Sequence, residues 1–395
     1  MNIQEIEISG YRSVDDLKLE LSNVTVLVGP NGCGKSNIYQ SVNLIAAAAT
    51  GQFARRIAEE GGMQSILWAG GRRKNEKPRV SLSLSIDELR YSLEFGLIPI
   101  SERAGGLDIF RRDPDIKLET VEIDSGRKMV TLLTRKRSAI TAKNMDGRDQ
   151  SYPDAVANSE SVLSELREPQ KFPELTTLRA EFLKWRFYHD FRTDLQSPIR
   201  EPQLGTLTPI LSHDGHDLAA TIATIRTIGD GARLDSAIGD AFPDSKLQIT
   251  ESDGVLDMFM SFPGVYRNLS AREFSDGTLQ YLCILAALLT PRPAPFLVLN
   301  EPETSIHSDL FKSMAELVMR ASKNSQILLT THSRDLAAYL TGRSGVTIIE
   351  LEKVDGATCV RGTRTPKTEE QKSKGFLGAK GEFEDDDNND GEEDD

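Results

Sequence analysis

Apolar and polar residues follow two different patterns at the start of the chain. They alternate over residues 6–8 and 17–21, which predicts two strands that each bury one face. Residues 24–28 (VTVLV) are instead almost continuously apolar, as is typical of a strand buried on both faces of a parallel sheet. A Gly-rich loop follows, and residues 36–49 predict a helix that ends at Gly51.

The last third of the chain returns to this alternation. We predict a helix, a strand, a helix and two strands, in that order, at 277–289, 295–299, 309–321, 326–330 and 346–351. Helices that alternate with buried strands indicate a parallel sheet covered on both sides. The two ends of the chain therefore predict the α/β fold class.

The middle of the chain has a mixed pattern. Short β-like runs occur at 80–86, 91–95, 116–123 and 128–133, and helical patterns at 155–166, 175–187 and 216–228. No heptad repeat is sustained, which disfavours a long coiled-coil arm. We predict a head formed by 1–70 and 265–365, an inserted α+β lobe at 71–264, and a polar, acidic, disordered tail at 366–395.

Composition changes this picture mainly at the C-terminus. The 395 residues are 38% hydrophobic and 27% charged, without a membrane-length apolar run or a signal-like start, so we expect a cytoplasmic protein. We interpret Cys33, Cys283 and Cys359 as free thiols. Residues 382–395 hold ten carboxylates, so the net charge of −13 neither supports nor excludes binding of nucleic acid elsewhere.

The loop at 29–36 reads GPNGCGKS and matches the phosphate-binding pattern G-x-x-x-x-G-K-S. Its glycines, Gly32 and Gly34 among them, let backbone N–H groups curl around a phosphate. Lys35 can reach the β- and γ-phosphates, and the Ser36 hydroxyl can ligate Mg²⁺. The strand before the loop and the helix after it are the context that this pattern requires.

A carboxylate and a histidine follow the next two predicted strands. Residues 296–303 (FLVLNEPE) place Glu301 after a buried strand, where it can accept a proton from water or orient it. Residues 330–333 (TTHS) place His332 after another, either as a structural histidine or as a donor to the γ-phosphate. Because the carboxyl ends of parallel strands share one edge, both can lie beside the phosphate loop.

A third segment, 275–280 (SDGTLQ), opens an apolar helix. Ser275 and Gly277 at a helix start can form a simple N-cap or an anion site made of free N–H groups. The segment lies about twenty residues before Glu301. This position favours the anion site.

These motifs and GYRS at 10–13 resemble the ABC-type P-loop ATPases of the SMC, RecF and OLD group, particularly the small stand-alone AAA-family ATPases of bacteria. Their order and spacing match over residues 1–70 and 265–350. The resemblance implies a head with a mainly parallel sheet and an N-terminal antiparallel β-subdomain. It also implies ATP and Mg²⁺ as cofactors and a homodimer that forms head to tail when ATP binds.

The resemblance also implies roles for individual residues. The nucleotide contacts would be Arg12, Asn31, Gly32, Gly34, Lys35, Ser36 and Asn37. Ser275 and Gly277 would bind the γ-phosphate held by the partner subunit. Glu301 would be the catalytic carboxylate and His332 a sensor of the γ-phosphate. The metal candidates are Ser36, Asn300 and Gln64.

Asn300 departs from the pattern of this group, which usually has Asp before the glutamate. An amide can hold a Mg²⁺-bound water through its carbonyl oxygen but brings no negative charge. Slow hydrolysis is one consequence to expect. The other is a site built around the amide, whose NH₂ donates a hydrogen bond that Asp cannot make.

The function that the resemblance implies is an ATP-driven switch in DNA repair, recombination or phage defence. Its partners would be DNA or a separate nuclease or effector, and not a membrane. A slowly hydrolysing or non-hydrolysing regulatory clamp is the alternative. The insert of about 200 residues disfavours a transporter subunit, and the polar segment after Leu351 has no room for the nuclease domain of OLD-type proteins.

Basic clusters at 72–74, 111–112 and 135–137 bear on the expected DNA partner. We interpret them as a solvated surface or as a DNA-facing part of the lobe. The sequence favours the first interpretation without excluding the second.

Overall fold

The computed structural model describes residues 1–71, 77–98, 110, 112–144, 147–153 and 156–363. Its strands are β1 (Ile3–Tyr11), β2 (Val14–Glu20), β3 (Val24–Val28), β4 (Arg79–Ile86), β5 (Leu89–Gly96), β6 (Asp115–Asp124), β7 (Met129–Lys136), β8 (Ala139–Lys143), β9 (Asp149–Pro153), β10 (Arg186–Tyr188), β11 (Gln203–Leu204), β12 (Lys246–Ser252), β13 (Val255–Ser261), β14 (Leu269–Ser270), β15 (Phe296–Asn300), β16 (Gln326–Thr331), β17 (Val346–Val354) and β18 (Ala357–Val360). Its α-helices are α1 (Lys35–Thr50), α2 (Phe53–Glu59), α3 (Met63–Ile66), α4 (Val162–Glu165), α5 (Pro173–Phe182), α6 (Leu218–Ile228), α7 (Gly231–Ala241), α8 (Asp276–Leu288), α9 (Phe311–Ala321) and α10 (Arg334–Leu340).

A mainly parallel sheet carries the Gly-rich loop. Its strand order is β10-β15-β16-β3-β17, all parallel, with β18 antiparallel at one edge. β3, β15 and β16 are buried along their whole length, as their continuous apolar runs predict. Their register pairs Asn300 with Thr330 and Thr331 with Val28. The segments that follow these three strands therefore emerge side by side at one edge of the sheet.

The N-terminal hairpin belongs to a second, antiparallel sheet. Within the described part of the chain this sheet has eight strands in the order β2-β1-β4-β5-β6-β7-β8-β9. β1 pairs directly with β4, so the predicted boundary between residues 70 and 71 lies between hydrogen-bonded neighbours. β10, also from the 71–264 segment, pairs with β15 of the parallel sheet. Alternation of apolar residues indicates a half-buried strand but does not identify its neighbour.

Two predicted helices differ from those observed. The helix predicted at 175–187 ends at Phe182, and Arg186–Tyr188 forms the edge strand β10. The helix predicted at 155–166 is reduced to Val162–Glu165. Trp185 and Phe187 are buried in the core. The pairing of Arg186–Tyr188 with β15 overrides the helical spacing of the sequence.

The basic cluster at 135–137 is divided, since Lys136 and Arg137 are exposed and Arg135 is not. Arg135 is fully buried and lies 3.4 Å from the equally buried Glu119. Its guanidinium also donates to the backbone oxygens of Arg137 and Ala157, each at 2.7 Å. Both expectations for this cluster are therefore wrong at Arg135, because the side chain joins β7 to the segment before α4. Residues 72–74, Arg111 and the acidic tail lie outside the described residues.

Two other expectations concern single features. Cys33, Cys283 and Cys359 are free, as predicted, and all three are buried. Among the described residues, no helix combines the length and the apolar character that a bilayer crossing requires.

Candidate functional site

The loop at 29–36 connects β3 to α1 and is centred on Lys35. This side chain is only 3% exposed, and its ammonium donates to the backbone oxygens of Gly29 at 2.7 Å and Pro30 at 3.2 Å. It also lies 3.4 Å from a carboxylate oxygen of Glu301, which follows β15. The structure thus brings together the two residues that the sequence predicts as phosphate ligand and catalytic carboxylate.

The backbone of this loop has the form of an anion site. Gly32 and Gly34 have φ values of +78° and +108°, a region that side chains other than glycine disfavour. A Cβ on Gly34 would also lie 1.9 Å from the Thr358 hydroxyl. No described group accepts a hydrogen bond from the N–H groups of Gly32, Gly34, Lys35 or Ser36. These free N–H groups and the Lys35 charge fit a nucleotide phosphate.

The other predicted loop residues divide into two groups. Asn31 and Ser36 have exposed side chains, so the Ser36 hydroxyl is accessible to a metal ion. Asn37 instead donates to the Ser13 hydroxyl at 2.7 Å, and Ser13 shares a hydrogen bond of 2.6 Å with Thr358. Asn37 therefore connects α1 to the β1–β2 turn and to β18.

Arg12 lies at the turn between β1 and β2 with a φ of +49°. Its guanidinium is 2.8 Å from a carboxylate oxygen of Glu60, which also accepts from the Tyr11 hydroxyl at 2.6 Å. Burial, followed by the charge of Glu60, raises the pKa of Tyr11 well above its ordinary value. Arg12 is thus held in an ion pair beside α2, through one nitrogen of its guanidinium.

Gln64 lies on the short helix α3 and is exposed. The same helix is anchored to the Arg12 turn, because the Arg12 N–H donates to the Ile66 oxygen at 2.8 Å. No described contact joins the Gln64 side chain to Ser36 or Asn300. The structure therefore does not bring this metal candidate to the others.

Glu301 is the first residue after β15 and has a φ of +47°. Its backbone N–H donates to the Thr330 oxygen at 2.9 Å, which ties the turn to β16. One carboxylate oxygen faces Lys35, and the other lies 3.6 Å from Nδ1 of His332. The carboxylate, 28% exposed, is open to water between a fixed cation and a histidine.

Glu303 is a site residue that the sequence analysis missed. Its side chain is 3% exposed, and one oxygen accepts from the backbone N–H groups of His332 at 3.0 Å and Ser333 at 3.3 Å. The same oxygen accepts from the Thr331 hydroxyl and lies 3.1 Å from Nδ1 of His332. Glu303 thus sets the position of His332, and its only sequence signal is a second glutamate two residues after Glu301.

Asn300 ends β15 and is 7% exposed. Its carbonyl oxygen accepts from the Thr330 hydroxyl at 2.8 Å, and its amide nitrogen lies 2.7 Å from Nδ1 of His189. His189 follows β10, the strand hidden in a predicted helix, and the sequence analysis missed it for that reason. Both ends of the Asn300 amide are therefore engaged within the chain.

The SDGTLQ segment forms the N-terminus of α8. Ser275 is exposed, and its hydroxyl accepts from the Thr278 N–H at 3.1 Å as an N-cap. A Cβ on Gly277 would lie 2.3 Å from the Ser305 oxygen, so only glycine allows this close contact with the turn after β15. No described contact joins Ser275 to the loop at 29–36 of the same chain.

Arg200 supports the α8 N-terminus from within the protein. Its side chain is 3% exposed and donates to the oxygens of Ala271 at 3.3 Å, Arg272 at 3.0 Å and Phe274 at 2.7 Å. It also binds the Asp276 carboxylate at 2.8 Å. The sequence offered no periodic or motif signal for Arg200, because it lies about 75 residues before the segment that it holds.

The fold and this edge of the sheet define a P-loop ATPase with an SMC-like head. The chain belongs to the family described as "AAA domain, putative AbiEii toxin, Type IV TA system", whose model matches residues 24–337. An antiparallel sheet at the N-terminus and a mainly parallel sheet with the phosphate loop confirm the predicted fold class.

Similar proteins include chromosome partition proteins. The Smc protein of Clostridium kluyveri (strain NBRC 12016) is 36% identical over 110 residues, which are 26% of this chain and 9% of that protein. Smc of Bacillus subtilis (strain 168) is 27% identical over 107 residues, again 26% of this chain and 9% of that protein. The chain thus spans less than a tenth of the length of these relatives.

A solved structure similar in fold is the SMC head bound to the C-winged helix domain of ScpA. The two share 16% sequence identity and a TM-score of 0.52, over 91% of this chain and 97% of that chain. At this identity the similarity shows the fold.

Proposed function

We propose that the chain binds ATP with Mg²⁺ at the 29–36 loop and hydrolyses it. The observation that carries this proposal is the 3.4 Å approach of the Lys35 ammonium to the Glu301 carboxylate beside unpaired backbone N–H groups. Phosphate oxygens would take the place of the Gly29 and Pro30 carbonyls as Lys35 acceptors. Glu301 would then orient or deprotonate the attacking water.

Ser36 would hold Mg²⁺ through its hydroxyl, and Asn300 would accept from a Mg²⁺-bound water through its amide carbonyl oxygen. A bound magnesium ion would neutralise charge on the β- and γ-phosphates. His332, held by Glu303 at the mouth of the loop, would donate to the γ-phosphate. Gln64 keeps only its sequence support, since no described contact joins its side chain to Ser36 or Asn300.

We further propose that two copies associate head to tail when ATP binds. Ser275 and Gly277 lie at the start of α8, where N–H groups and the helix dipole favour an anion. They make no described contact with the loop of their own chain, so a γ-phosphate held by a second copy is the ligand that fits them. Closed pairing of identical chains would form two such composite sites.

The dimer would act as an ATP-driven switch in DNA repair, recombination or phage defence. The names of the relatives, which are chromosome partition proteins, favour a DNA-linked process. DNA or a separate nuclease or effector would be the partner. These process assignments rest on the family resemblance rather than on a contact within the chain.

A slowly hydrolysing clamp is a second candidate, which Asn300 favours. The amide at this position supplies a dipole where a carboxylate would supply a charge, and its two ends already bind Thr330 and His189. Steady-state phosphate release distinguishes the switch from the clamp. Turnover no faster than that of Glu301→Gln would favour the clamp.

Composite sites make a mixing experiment decisive. Lys35→Ala removes the phosphate ligand, and Ser275→Arg blocks the α8 start, so neither variant forms an intact composite site alone. In a mixed dimer, the loop of the Ser275→Arg chain meets the intact α8 of the Lys35→Ala chain. A one-to-one mixture should recover roughly a quarter of wild-type turnover, because about half of the dimers are mixed and each has one intact site.

Recovery well above either variant alone would support the composite sites. Two folded variants that bind each other but recover no turnover would contradict them. Full turnover by Ser275→Arg alone would place both parts of the site in one chain.

A further inference from the structure

Asn300 and His189 meet because their strands are neighbours. β10 pairs in parallel with β15, with Tyr188 opposite Leu299. His189 and Asn300, which come directly after these two residues, therefore lie at the same edge of the sheet. The Asn300 amide nitrogen is 2.7 Å from His189 Nδ1. An amide nitrogen only donates, so Nδ1 is the acceptor, and the proton of the neutral imidazole is on Nε2.

The other end of the amide is also fixed. The Thr330 hydroxyl donates to the Asn300 carbonyl oxygen at 2.8 Å. A carbonyl oxygen has two lone pairs, so this one retains an acceptor position for a further group. The opposite orientation would require a proton on His189 Nδ1 and an accepting Thr330 hydroxyl, so the orientation of the Asn300 amide and the tautomer of His189 are set together.

The His189 ring is itself held by α1. Its imidazole stacks on Tyr39 with ring centres 5.1 Å apart and an angle of 27° between the planes. Tyr39 is 4% exposed and lies one helical turn after Lys35. His189 therefore connects the helix that follows the phosphate loop with the last residue of β15.

We propose that His189 is a positioning residue of the nucleotide site. His189 requires an amide at position 300 and fixes the orientation of that amide. It accepts the Asn300 N–H and thereby keeps the carbonyl oxygen as the end that is free to accept from a Mg²⁺-bound water. This inference rests on the proposed function. It means that Asn300 is matched to His189 by a hydrogen bond that an aspartate could not donate, and is not simply a weaker metal-binding substitute for aspartate.

Two variants separate the hydrogen bond from the ring packing. His189→Phe keeps a ring that can stack on Tyr39 but has no acceptor for the Asn300 N–H. His189→Asn loses the ring but places a carbonyl oxygen close to the former position of Nδ1. If the ring has only a structural role, His189→Asn should be the more damaging change. If His189 positions Asn300, His189→Phe should be the more damaging change.

Calorimetric titration with Mg²⁺ and a non-hydrolysable ATP analogue measures the effect without turnover. We expect His189→Phe to weaken binding about tenfold and His189→Asn to stay within about threefold of wild type, because only Phe leaves a buried donor unpaired. His216→Phe, at a histidine that is 54% exposed, is the matched control and should bind as wild type does. Thermal unfolding of each variant confirms that it is folded at the titration temperature.

Equal losses in both variants, or a larger loss in His189→Asn, would overturn the positioning role while leaving ATP binding intact. If wild type did not bind the analogue, the proposed function itself would be wrong and this inference with it. A second measurement needs no folded variant. Nitrogen NMR of the five histidines in the wild-type protein should show one unprotonated Nδ1 that is coupled to an Asn side-chain amide across a hydrogen bond. A protonated Nδ1 at His189 would contradict the inference.

Discussion

Two half-sites of this protein are built in opposite ways. One is the edge of the parallel sheet that carries Lys35, Glu301 and His332, which we call the loop edge, and the other is the start of α8. At the loop edge, polar side chains pair within the chain: Lys35 lies 3.4 Å from Glu301, and His332 lies 3.1 Å from Glu303. At the start of α8, Ser275 is exposed and makes only a local cap. The charge that supports this segment, on Arg200, lies beneath it and is 3% exposed.

The difference indicates what each half-site contributes. The loop edge holds cation, carboxylate and histidine close enough to act on one ligand. The α8 start instead combines a backbone fixed from below with an outer side that no described residue covers. Such a surface binds a group supplied from outside, and the following predictions test this contrast, from the largest expected effect to the smallest.

Lys35→Ala should weaken ATP binding by at least about 100-fold, because the loop loses its fixed positive charge. Calorimetric titration measures the loss. Lys312→Ala, an exposed lysine on α9, is the control and should bind normally. If Lys35→Ala bound ATP as tightly as wild type, the loop edge would not be the nucleotide site.

Glu301→Gln should lower turnover by about 10²- to 10⁴-fold while ATP binding stays close to that of wild type. The amide keeps the size of the side chain but cannot accept a proton from water. The variant should also accumulate as an ATP-bound dimer in light scattering. Glu316→Gln, on the exposed side of α9, serves as the control, and undiminished turnover of Glu301→Gln would assign water activation to another residue.

Arg200→Met should weaken ATP-dependent dimerisation about tenfold, since several backbone oxygens before α8 lose their donor. ATP binding to the monomer should not change, because Arg200 makes no described contact with the loop edge. Light scattering and calorimetry measure the two effects separately. Arg192→Met, which removes an exposed arginine paired with Asp194, should change neither. Equal losses of dimer and monomer binding would mean that the two half-sites are not separate.

Asn300→Asp should change the magnesium concentration for half-maximal turnover by less than about threefold. The added carboxylate attracts the metal ion, but it has no N–H to donate to His189 and places a second negative charge beside Glu301. Magnesium titration of phosphate release measures the change. A tightening of tenfold or more would show that Asn300 is a weakened aspartate and not part of a matched pair.

The sequence predicted the residues of the loop edge better than the residues that hold the two half-sites in position. Lys35, Glu301 and His332 follow buried strands, so their sites could be inferred from apolar runs and the rule that parallel strands end at one edge. Glu303 carried a weak signal, since it lies two residues from Glu301. His189 and Arg200 carried none, because each acts on residues about 75 or more positions away.

The fold was predictable to the same extent. The continuous runs identified β3, β15 and β16, and the glycine at position 51 marked the end of α1. β10 was missed because its three residues lie in a segment with helical spacing, and only pairing with β15 makes them a strand. Alternation within 80–133 predicted strands correctly but could not show that they continue the N-terminal sheet.

Thr358 has a practical consequence for anyone who shortens this protein. Its hydroxyl bonds to Ser13, which accepts from Asn37 in α1, and it fills the space where a side chain at Gly34 would be. β18 is thus a structural neighbour of the phosphate loop although it lies more than 320 residues away along the chain. Expression fragments that stop before residue 358 would remove this neighbour, whereas a tag or fluorescent label attached after residue 363 would leave it in place.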